Sequence, residues 1–311
     1  MSKILWKPSE KSIKKTNMAG LYERVFKTKI KSPGQFIYQS LHDWSIKNIE
    51  DFWSLVWDEA NIIGDKGSQI ISEYDDLIKS KFFPKGRLNF SENLLAGENN
   101  REVIVFYDER KKRISLTLNE LKQKTIALAK WLIKNGIKSG DRVAVLGTNS
   151  PESIIAMLAT ASLGAIFTSC SPDFGEEGII DRFGQCQPKI FITTDGYIYA
   201  GKKYCIKDKV ANIAKRITSI KKTINIRYIG NSENEYKYDW HSIVSDKDID
   251  DFEFKKFPFN IPLYILYSSG TTGKPKCIVH SAGGTLIQHI KEHRYHCLLY
   301  TSDAADDRIC V

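Results

Sequence analysis

The sequence is poor in the features that mark several large classes of protein. Its six cysteines form no CxxC pair and have no histidines at the spacing of zinc ligands, which argues against a disulfide scaffold and a structural zinc. Arginine is scarce, with 11 residues against 35 lysines, and no arginine-rich segment is interleaved with aromatics. Nucleic-acid binding is therefore not expected. We interpret the cysteines as reduced thiols of a cytoplasmic protein.

A segment suited to a membrane is also missing. The longest uncharged run, residues 153–172, is interrupted by hydroxyl side chains, Gly164 and Pro172, so it predicts a buried helix followed by a strand. Residues 1–31 carry most of the net charge of +9, with nine basic and two acidic side chains, but they lack the apolar core of a secretory signal. We interpret this start as a solvated basic arm and expect no membrane partner.

What remains is ordinary globular composition over 311 residues, with 42% hydrophobic and 27% charged side chains. Strands and helices alternate from residue 102, which predicts an α/β fold with a largely parallel sheet. The predicted strands cover residues 103–107, 114–116, 142–146, 165–169, 189–193, 225–229, 263–267 and 277–280, and the predicted helices cover residues 117–135, 151–162, 176–185 and 206–217. Thr117 and Ser150 precede the first two helices as N-caps, and Gly136 and Gly164 follow them as left-handed stops. Residues 231–260 are polar and are predicted to be irregular.

The chemistry is concentrated in one loop, residues 268–276, which has the sequence SSGTTGKPK between two apolar strands. Its two glycines allow backbone N–H groups to converge, four hydroxyl side chains add donors, and two lysines add positive charge. Such a loop is suited to binding a polyphosphate. It is not the GxxxxGK[ST] loop of phosphoryl-transfer enzymes, because Pro275 stands where the second glycine is required and a strand follows the loop.

The segment YILYSSGTTGKPKCIVHSAGGTL, residues 264–286, resembles the phosphate-binding core of the acyl-adenylate-forming superfamily of acyl-CoA synthetases, luciferases and adenylation domains. Residues 86–95 (GRLNFSENLL) and 115–147 match the superfamily in order and spacing. The tryptophan-rich start and residues 193–202 (TTDGYIYAGK) resemble the acetyl-CoA and acetoacetyl-CoA synthetase branch. Within that branch the loop and the residues after it are more similar to the acetoacetyl-CoA synthetases.

The resemblance implies an incomplete N-terminal domain of the acyl-adenylate-forming fold, with largely parallel sheets flanked by helices and without the C-terminal lid domain. We expect an N-terminal helical segment over residues 1–95, as in acetyl-CoA synthetases, and a partial AMP-binding domain over residues 96–297. Residues 298–311 match nothing that the family carries there, and we interpret them as an artefactual tail.

The resemblance also implies an activity. The full-length enzyme would use ATP and Mg²⁺ to convert acetoacetate into acetoacetyl-adenylate and pyrophosphate, and would then transfer the acyl group to CoA. Such a ligase belongs to lipid and ketone body metabolism. The family's metal-binding glutamate and catalytic lysine lie downstream, so we expect no catalytic or metal-binding residue in this sequence. The chain by itself is predicted to be inactive.

Several residues are implied to bind substrates. Those that correspond to the ATP phosphate site are Ser268, Ser269, Gly270, Thr271, Thr272, Gly273, Lys274 and Lys276. Thr271 and Thr272 would contact the β- and γ-phosphates, and Lys276 would supply a counter-charge. Tyr199 and Lys202 correspond to basic residues that bind CoA in the acetyl branch. The tyrosine departs from that pattern, whereas Lys202 keeps the charge.

The histidines and the acyl substrate leave alternatives open. His280 is either part of the acyl pocket or a structural histidine, and the helical spacing of His289, His293 and His296 does not by itself indicate a metal site. An acetyl-CoA or other short-chain acyl-CoA synthetase, and a truncated nucleotide-binding module without catalysis, are the alternative functions. The expected partners are small molecules: acetoacetate, ATP and CoA.

Overall fold

The computed structural model describes residues 9–32, 34, 36–74, 76, 78–230, 237–268 and 273–296. The helices are α1 (Glu10–Lys14), α2 (Asn17–Val25), α3 (Tyr38–Lys47), α4 (Ile49–Glu59), α5 (Phe90–Leu94), α6 (Leu118–Lys134), α7 (Pro151–Ser162), α8 (Glu176–Cys186), α9 (Lys207–Arg216), α10 (Trp240–Val244) and α11 (Ala282–Lys291), followed by a π-helical turn, Glu292–His296. The tail expected over residues 298–311 lies outside the described residues.

The strands are short at first and longer from residue 102 onward. They are β1 (Gly64–Asp65), β2 (Ile71–Ser72), β3 (Lys81–Phe82), β4 (Arg87–Leu88), β5 (Glu102–Tyr107), β6 (Arg113–Thr117), β7 (Arg142–Leu146), β8 (Ile166–Cys170), β9 (Ile190–Thr194), β10 (Gly196–Tyr199), β11 (Lys202–Cys205), β12 (Lys222–Ile226), β13 (Tyr238–Asp239), β14 (Phe257–Pro258), β15 (Pro262–Tyr267) and β16 (Cys277–Ser281).

One compact unit comprises residues 1–62, 68–83 and 284–311 and is mainly helical where it is described. Trp57 packs against Phe83 with ring centroids 4.9 Å apart. The phenol of Tyr295 is hydrogen-bonded to the carboxylate of Glu59, which also pairs with Arg24. Burial raises the pKa of Tyr295, and the neighbouring Glu59 raises it further. This partly buried polar cluster joins α2, α4 and the π-helical turn.

The other unit comprises residues 63–67 and 84–283 and contains a seven-stranded sheet of order β13-β12-β9-β7-β8-β15-β16. All neighbouring strands are parallel except β15 and β16, which pair antiparallel. Phe183, Phe191 and Ile213 are fully buried in the core that α8 and α9 form with the sheet. The predicted α/β fold with a largely parallel sheet is confirmed.

Helix α6 follows from local sequence signals. Thr117 and Glu120 form a reciprocal capping box at its start, and burial of Leu128 and Leu132 confirms the apolar face. Gly136 follows the helix with φ +79°, as a left-handed stop requires. The helix therefore begins and ends where its sequence predicts.

The β7–α7–β8 unit is also formed as predicted, with one difference. Ser150 precedes Pro151 at the start of α7, but its side chain makes no capping hydrogen bond. The backbone N–H of Ser153 instead bonds to the carbonyl of Ser150 at 3.1 Å. Gly164 follows the end of α7 with φ +63°, as a left-handed stop requires. The uncharged run at residues 153–172 is thus a helix and a strand, and none of the helices within the described residues is long and apolar enough to cross a membrane.

Two predictions for residues 225–260, which lie in the sheet-containing unit, were wrong. The strand expected at residues 225–229 is β12, three residues earlier, because Asp195 accepts hydrogen bonds from the N–H groups of Tyr228 and Ile229 and turns the chain out of the sheet. The region expected to be irregular contains β13, α10 and β14, and Trp240 buries its side chain in spite of the polar residues around it. Residues 231–236 lie outside the described part of the chain.

Replacing each of the two left-handed glycines, Gly136 and Gly164, by alanine separates the cost of backbone strain from the cost of a steric clash. A Cβ at Gly164 would lie 2.7 Å from Cδ1 of Phe257, whereas a Cβ at Gly136 would meet no atom within 4 Å. We expect Gly136→Ala to lower the free energy of unfolding by about 1–2 kcal/mol from strain alone. We expect Gly164→Ala to cost roughly 1–3 kcal/mol more through the clash. Chemical denaturation of both variants measures the difference, and equal losses would contradict the Phe257 contact.

Candidate functional site

The 268–276 loop connects two antiparallel strands of the sheet. The pair Tyr267 and Cys277 lies at the end of the β15–β16 ladder. Beyond it the N–H of Ser268 donates to the carbonyl of Lys276 at 3.1 Å, and the N–H of Lys276 lies 3.3 Å from Oγ of Ser268. The ladder thus closes the base of the loop. The expected phosphate ligands Ser269, Gly270, Thr271 and Thr272 lie outside the described residues.

The second limb of the loop, residues 273–276, contacts helix α8. Nζ of Lys274 lies 3.6 Å from Oδ1 of Asp181. Nε2 of Gln185 donates to the carbonyl of Pro275 at 2.9 Å. Because the ion pair is exposed, with 74% and 41% of the two side chains accessible, it contributes at most about 1 kcal/mol. Lys274 is therefore held by an interaction weak enough to be exchanged for another partner.

The strand that enters the loop is anchored at its last residue. Oη of Tyr267 lies 2.8 Å from Oγ1 of Thr168 on β8 and 3.1 Å from Sγ of Cys186 at the end of α8. Burial raises the pKa of the Tyr267 phenol, so the phenol stays protonated at neutral pH. This hydroxyl links a sheet strand, a helix and the start of the loop.

A second candidate site lies at the carboxyl ends of the parallel strands. Strand β8 pairs on one side of β7 and β9 on the other, so the order of the chain reverses there. Open α/β sheets bind ligands in the crevice at such a reversal. An open cavity of about 520 Å³, here called the edge cavity, is lined by loops that follow four of these strands. Its wall includes Thr148 and Asn149 after β7, Asp173 after β8, Tyr199 after β9 and Tyr228 after β12.

The hairpin formed by β10 and β11 supplies one wall of the edge cavity. Tyr199 and Lys202 are paired at its tip, and the Tyr199 side chain is 67% exposed. The N–H of Gly201 donates to Oε2 of Glu109, in the turn between β5 and β6, at 2.9 Å. The two residues predicted from the CoA site of the acetyl branch are thus adjacent, and Tyr199 lines the cavity.

Sequence reasoning did not identify the groups that position these residues. Asp195 is 2% exposed, and its Oδ1 accepts from the N–H groups of Tyr228 and Ile229 at 2.7 and 2.9 Å. Burial raises the pKa of the Tyr228 phenol, and Asp108 raises it further. An aspartate directly after a buried strand was the available signal for Asp195. Asp181, which pairs with Lys274, carried no comparable signal because it lies on an ordinary amphipathic helix.

Three of the histidines whose roles the sequence left open lie near other rings. The His280 side chain is exposed, and its ring centroid lies 5.1 Å from that of Tyr264. The rings of His289 and His293 stack at 6.2 Å. Throughout the described residues, no three histidine, cysteine or carboxylate side chains are grouped so that they could hold a metal ion.

Comparison with known families gives two matches. The profile of the AMP-binding enzyme family matches residues 92–311, and the profile of the acetyl-coenzyme A synthetase N-terminus matches residues 38–94. Together they cover both candidate sites and much of the tryptophan-rich start. The acyl-adenylate-forming resemblance stated for the sequence is thereby confirmed.

Individual relatives agree with the family matches. The chain is 42% identical to an acetoacetyl-coenzyme A synthetase of Rhizobium meliloti (strain 1021) over 298 residues, which are 94% of this chain and 45% of that protein. It is 33% identical to a malonamoyl-CoA synthetase of Penicillium aethiopicum, covering 99% of this chain and 44% of that protein. The solved structure of an acetoacetyl-CoA synthetase from Streptomyces lividans matches with a TM-score of 0.86 and 30% identity, covering 94% and 45%. The chain thus spans less than half the length of these relatives.

The anchoring role of Tyr267 can be tested by removing its hydroxyl. We expect Tyr267→Phe to lower the free energy of unfolding by about 1–2 kcal/mol, since Thr168 and Cys186 lose a buried partner. Tyr264→Phe is the matched control on the same strand, and we expect a change within about 0.5 kcal/mol. Urea denaturation of both variants provides the measurement. A Tyr267→Phe variant as stable as the parent protein would contradict the anchor.

Proposed function

The chain belongs to the AMP-binding enzyme family, and on that premise we propose that the whole protein is an AMP-forming acid–thiol ligase acting on acetoacetate. ATP and acetoacetate would give acetoacetyl-adenylate and pyrophosphate, and the acyl group would then pass to the thiol of CoA. The observation that carries the proposal is the 268–276 loop, closed at its base by Ser268 and Lys276 and bearing two lysines on its second limb.

The loop would act on the pyrophosphate leaving group. Attack of the carboxylate on the α-phosphate leaves growing negative charge on the β- and γ-phosphates, which preorganised amides, hydroxyls and cations stabilise. We assign the phosphate contacts to Thr271 and Thr272, and the close approach of the backbone to Gly270 and Gly273. Lys274 and Lys276 would supply positive charge, the first after leaving Asp181.

Magnesium is not assigned to residues of this chain. The described residues contain no suitable group of ligands, and Asp181, a carboxylate that contacts the loop, pairs with Lys274. A role for Mg²⁺ therefore stays a prediction, and no step is derived through it. The division into residues 1–95, 96–297 and 298–311 and the cytoplasmic location also stay predictions.

The edge cavity is proposed to take CoA. Its aromatic side chains, Tyr199 and Tyr228 among them, offer faces on which an adenine ring can stack. Lys202, paired with Tyr199 at the hairpin tip, would supply charge for a phosphate of CoA. Tyr199 would replace the basic contact of the acetyl branch with a stacking one.

The acyl substrate is proposed from the relatives. Acetoacetate and the malonamate implied by the Penicillium relative both carry a carbonyl group at C3, whereas acetate has none. A pocket that recognises this carbonyl is therefore the first candidate, and an acetyl-CoA or other short-chain synthetase is the second. A nucleotide-binding module without catalysis is the alternative from another functional class.

Lysine substitutions test ATP binding by the loop in the 311-residue chain. We expect Lys276→Ala and Lys274→Ala each to weaken ATP binding by about tenfold, the loss of one charge-assisted contact worth about 1.4 kcal/mol. Lys247→Ala, another exposed lysine of the same unit, is the matched control and should bind as the parent does. Titration calorimetry gives the dissociation constants. Equal affinity in all four proteins would contradict the phosphate assignment.

Product analysis of the whole protein separates the candidate activities. With ATP and CoA, we expect AMP and thioester formation to be at least about a hundredfold more efficient with acetoacetate than with acetate, because a site built for the C3 carbonyl is left with unpaired polar groups by acetate. Coupled AMP release and mass spectrometry of the thioester are the measurements. Preference for acetate supports the acetyl-CoA synthetase alternative, and ATP binding without turnover of any short carboxylate supports the binding module.

A further inference from the structure

Three side chains converge where α8 meets the second limb of the loop. Sγ of Cys186 lies 3.1 Å from Oη of Tyr267. Tyr267 is the cross-strand partner of Cys277, so the side chains of these two residues lie on the same face of the sheet. Burial raises the pKa of the Cys186 thiol, and the nearby Cys277 thiol raises it further. Two cysteines 91 positions apart in the sequence are therefore neighbours of the same tyrosine, Tyr267.

The two thiols differ in access to solvent. Cys186, the last residue of α8, is buried, whereas Cys277 is partly exposed at the start of β16. Burial raises the pKa of Cys186, and it raises the pKa of Cys170 to about 12. Because the thiolate is the reactive form, a dissolved oxidant meets Cys277 first and Cys186 can react only with a group that Cys277 already carries.

We propose that Cys186 and Cys277 are a disulfide-forming modification site at the exit of the 268–276 loop. The Cys277 thiolate attacks oxidised glutathione, forming a mixed disulfide and releasing one glutathione thiolate. The Cys186 thiol loses its proton to solvent and attacks the Cys277 sulfur, and the second glutathione leaves as a thiolate. The two protein sulfurs together lose two electrons, and these electrons reduce one oxidised glutathione to two glutathione molecules.

The disulfide would add a covalent bond to a contact that is already present. Helix α8 holds the second limb through Asp181 to Lys274 and through Gln185 to Pro275, both exposed interactions. A bond from Cys186 to Cys277 would fix this limb against the helix and prevent Lys274 from reaching a ligand. This consequence rests on the proposed ATP site, whereas formation of the disulfide does not.

Peptide mapping of the 311-residue chain tests the disulfide itself. After equilibration in glutathione buffers of increasing oxidation and rapid alkylation, we expect a peptide pair linked through Cys186 and Cys277 that dithiothreitol removes. The pair should be lost in Cys277→Ser and retained in Cys205→Ser, the matched control at an exposed cysteine. A map showing only glutathione on Cys277, or a link to any other cysteine, would overturn the proposal, and the parent protein alone suffices if a variant does not fold.

Nucleotide titration tests the consequence. We expect the oxidised protein to bind ATP at least about fivefold more weakly than the reduced protein, with recovery after reduction and no change in Cys277→Ser. Equal affinity in both redox states would overturn the effect on the loop. If the reduced protein binds no ATP, the proposed function fails, and the peptide map still decides whether the two cysteines form the disulfide.

Discussion

The parallel pairing of β7 with both β8 and β9 is the constraint on which the candidate sites depend. Parallel strands must all end at the same edge of a sheet, so the loops that follow them are brought together whatever their sequence. Because β8 and β9 lie on opposite sides of β7, the loops that follow β8 and β9 are held apart, and this leaves room for the edge cavity. Strand β15 pairs parallel to β8, and this delivers the 268–276 loop to the same edge.

Helix α8 has a second role besides covering the sheet. Its buried face carries Phe183 into the core, while its exposed positions Asp181 and Gln185 contact the second limb of the loop. If the loop binds phosphates as proposed, it needs freedom to close around its ligand and must still return to one starting conformation. Contacts that are individually weak satisfy both needs, because each one can be exchanged without disturbing the buried face of the helix.

Elements with complete local signals were predictable from the sequence, and those set by distant contacts were not. The capping box at Thr117 and the glycine stops are encoded within a few residues, so α6 and α7 were placed correctly. Strand β12 was displaced because Asp195, some thirty positions earlier, ends it through two hydrogen bonds. At the candidate sites, composition was enough to single out the loop. The contact between Lys274 and Asp181 was not predictable, since an aspartate on a helix surface carries no sign of its partner.

The hydrogen bond between Gly201 and Glu109 joins two hairpins that are otherwise separate from the parallel sheet. Among the strands of the described residues, β5 and β6 pair only with each other, and so do β10 and β11. Each ribbon can therefore undergo local opening without breaking any hydrogen bond of the seven-stranded sheet. Opening of the edge cavity at this wall would then require the Gly201–Glu109 bond and the bond from Nζ of Lys203 to the carbonyl of Ile229 to break, on a timescale independent of global unfolding.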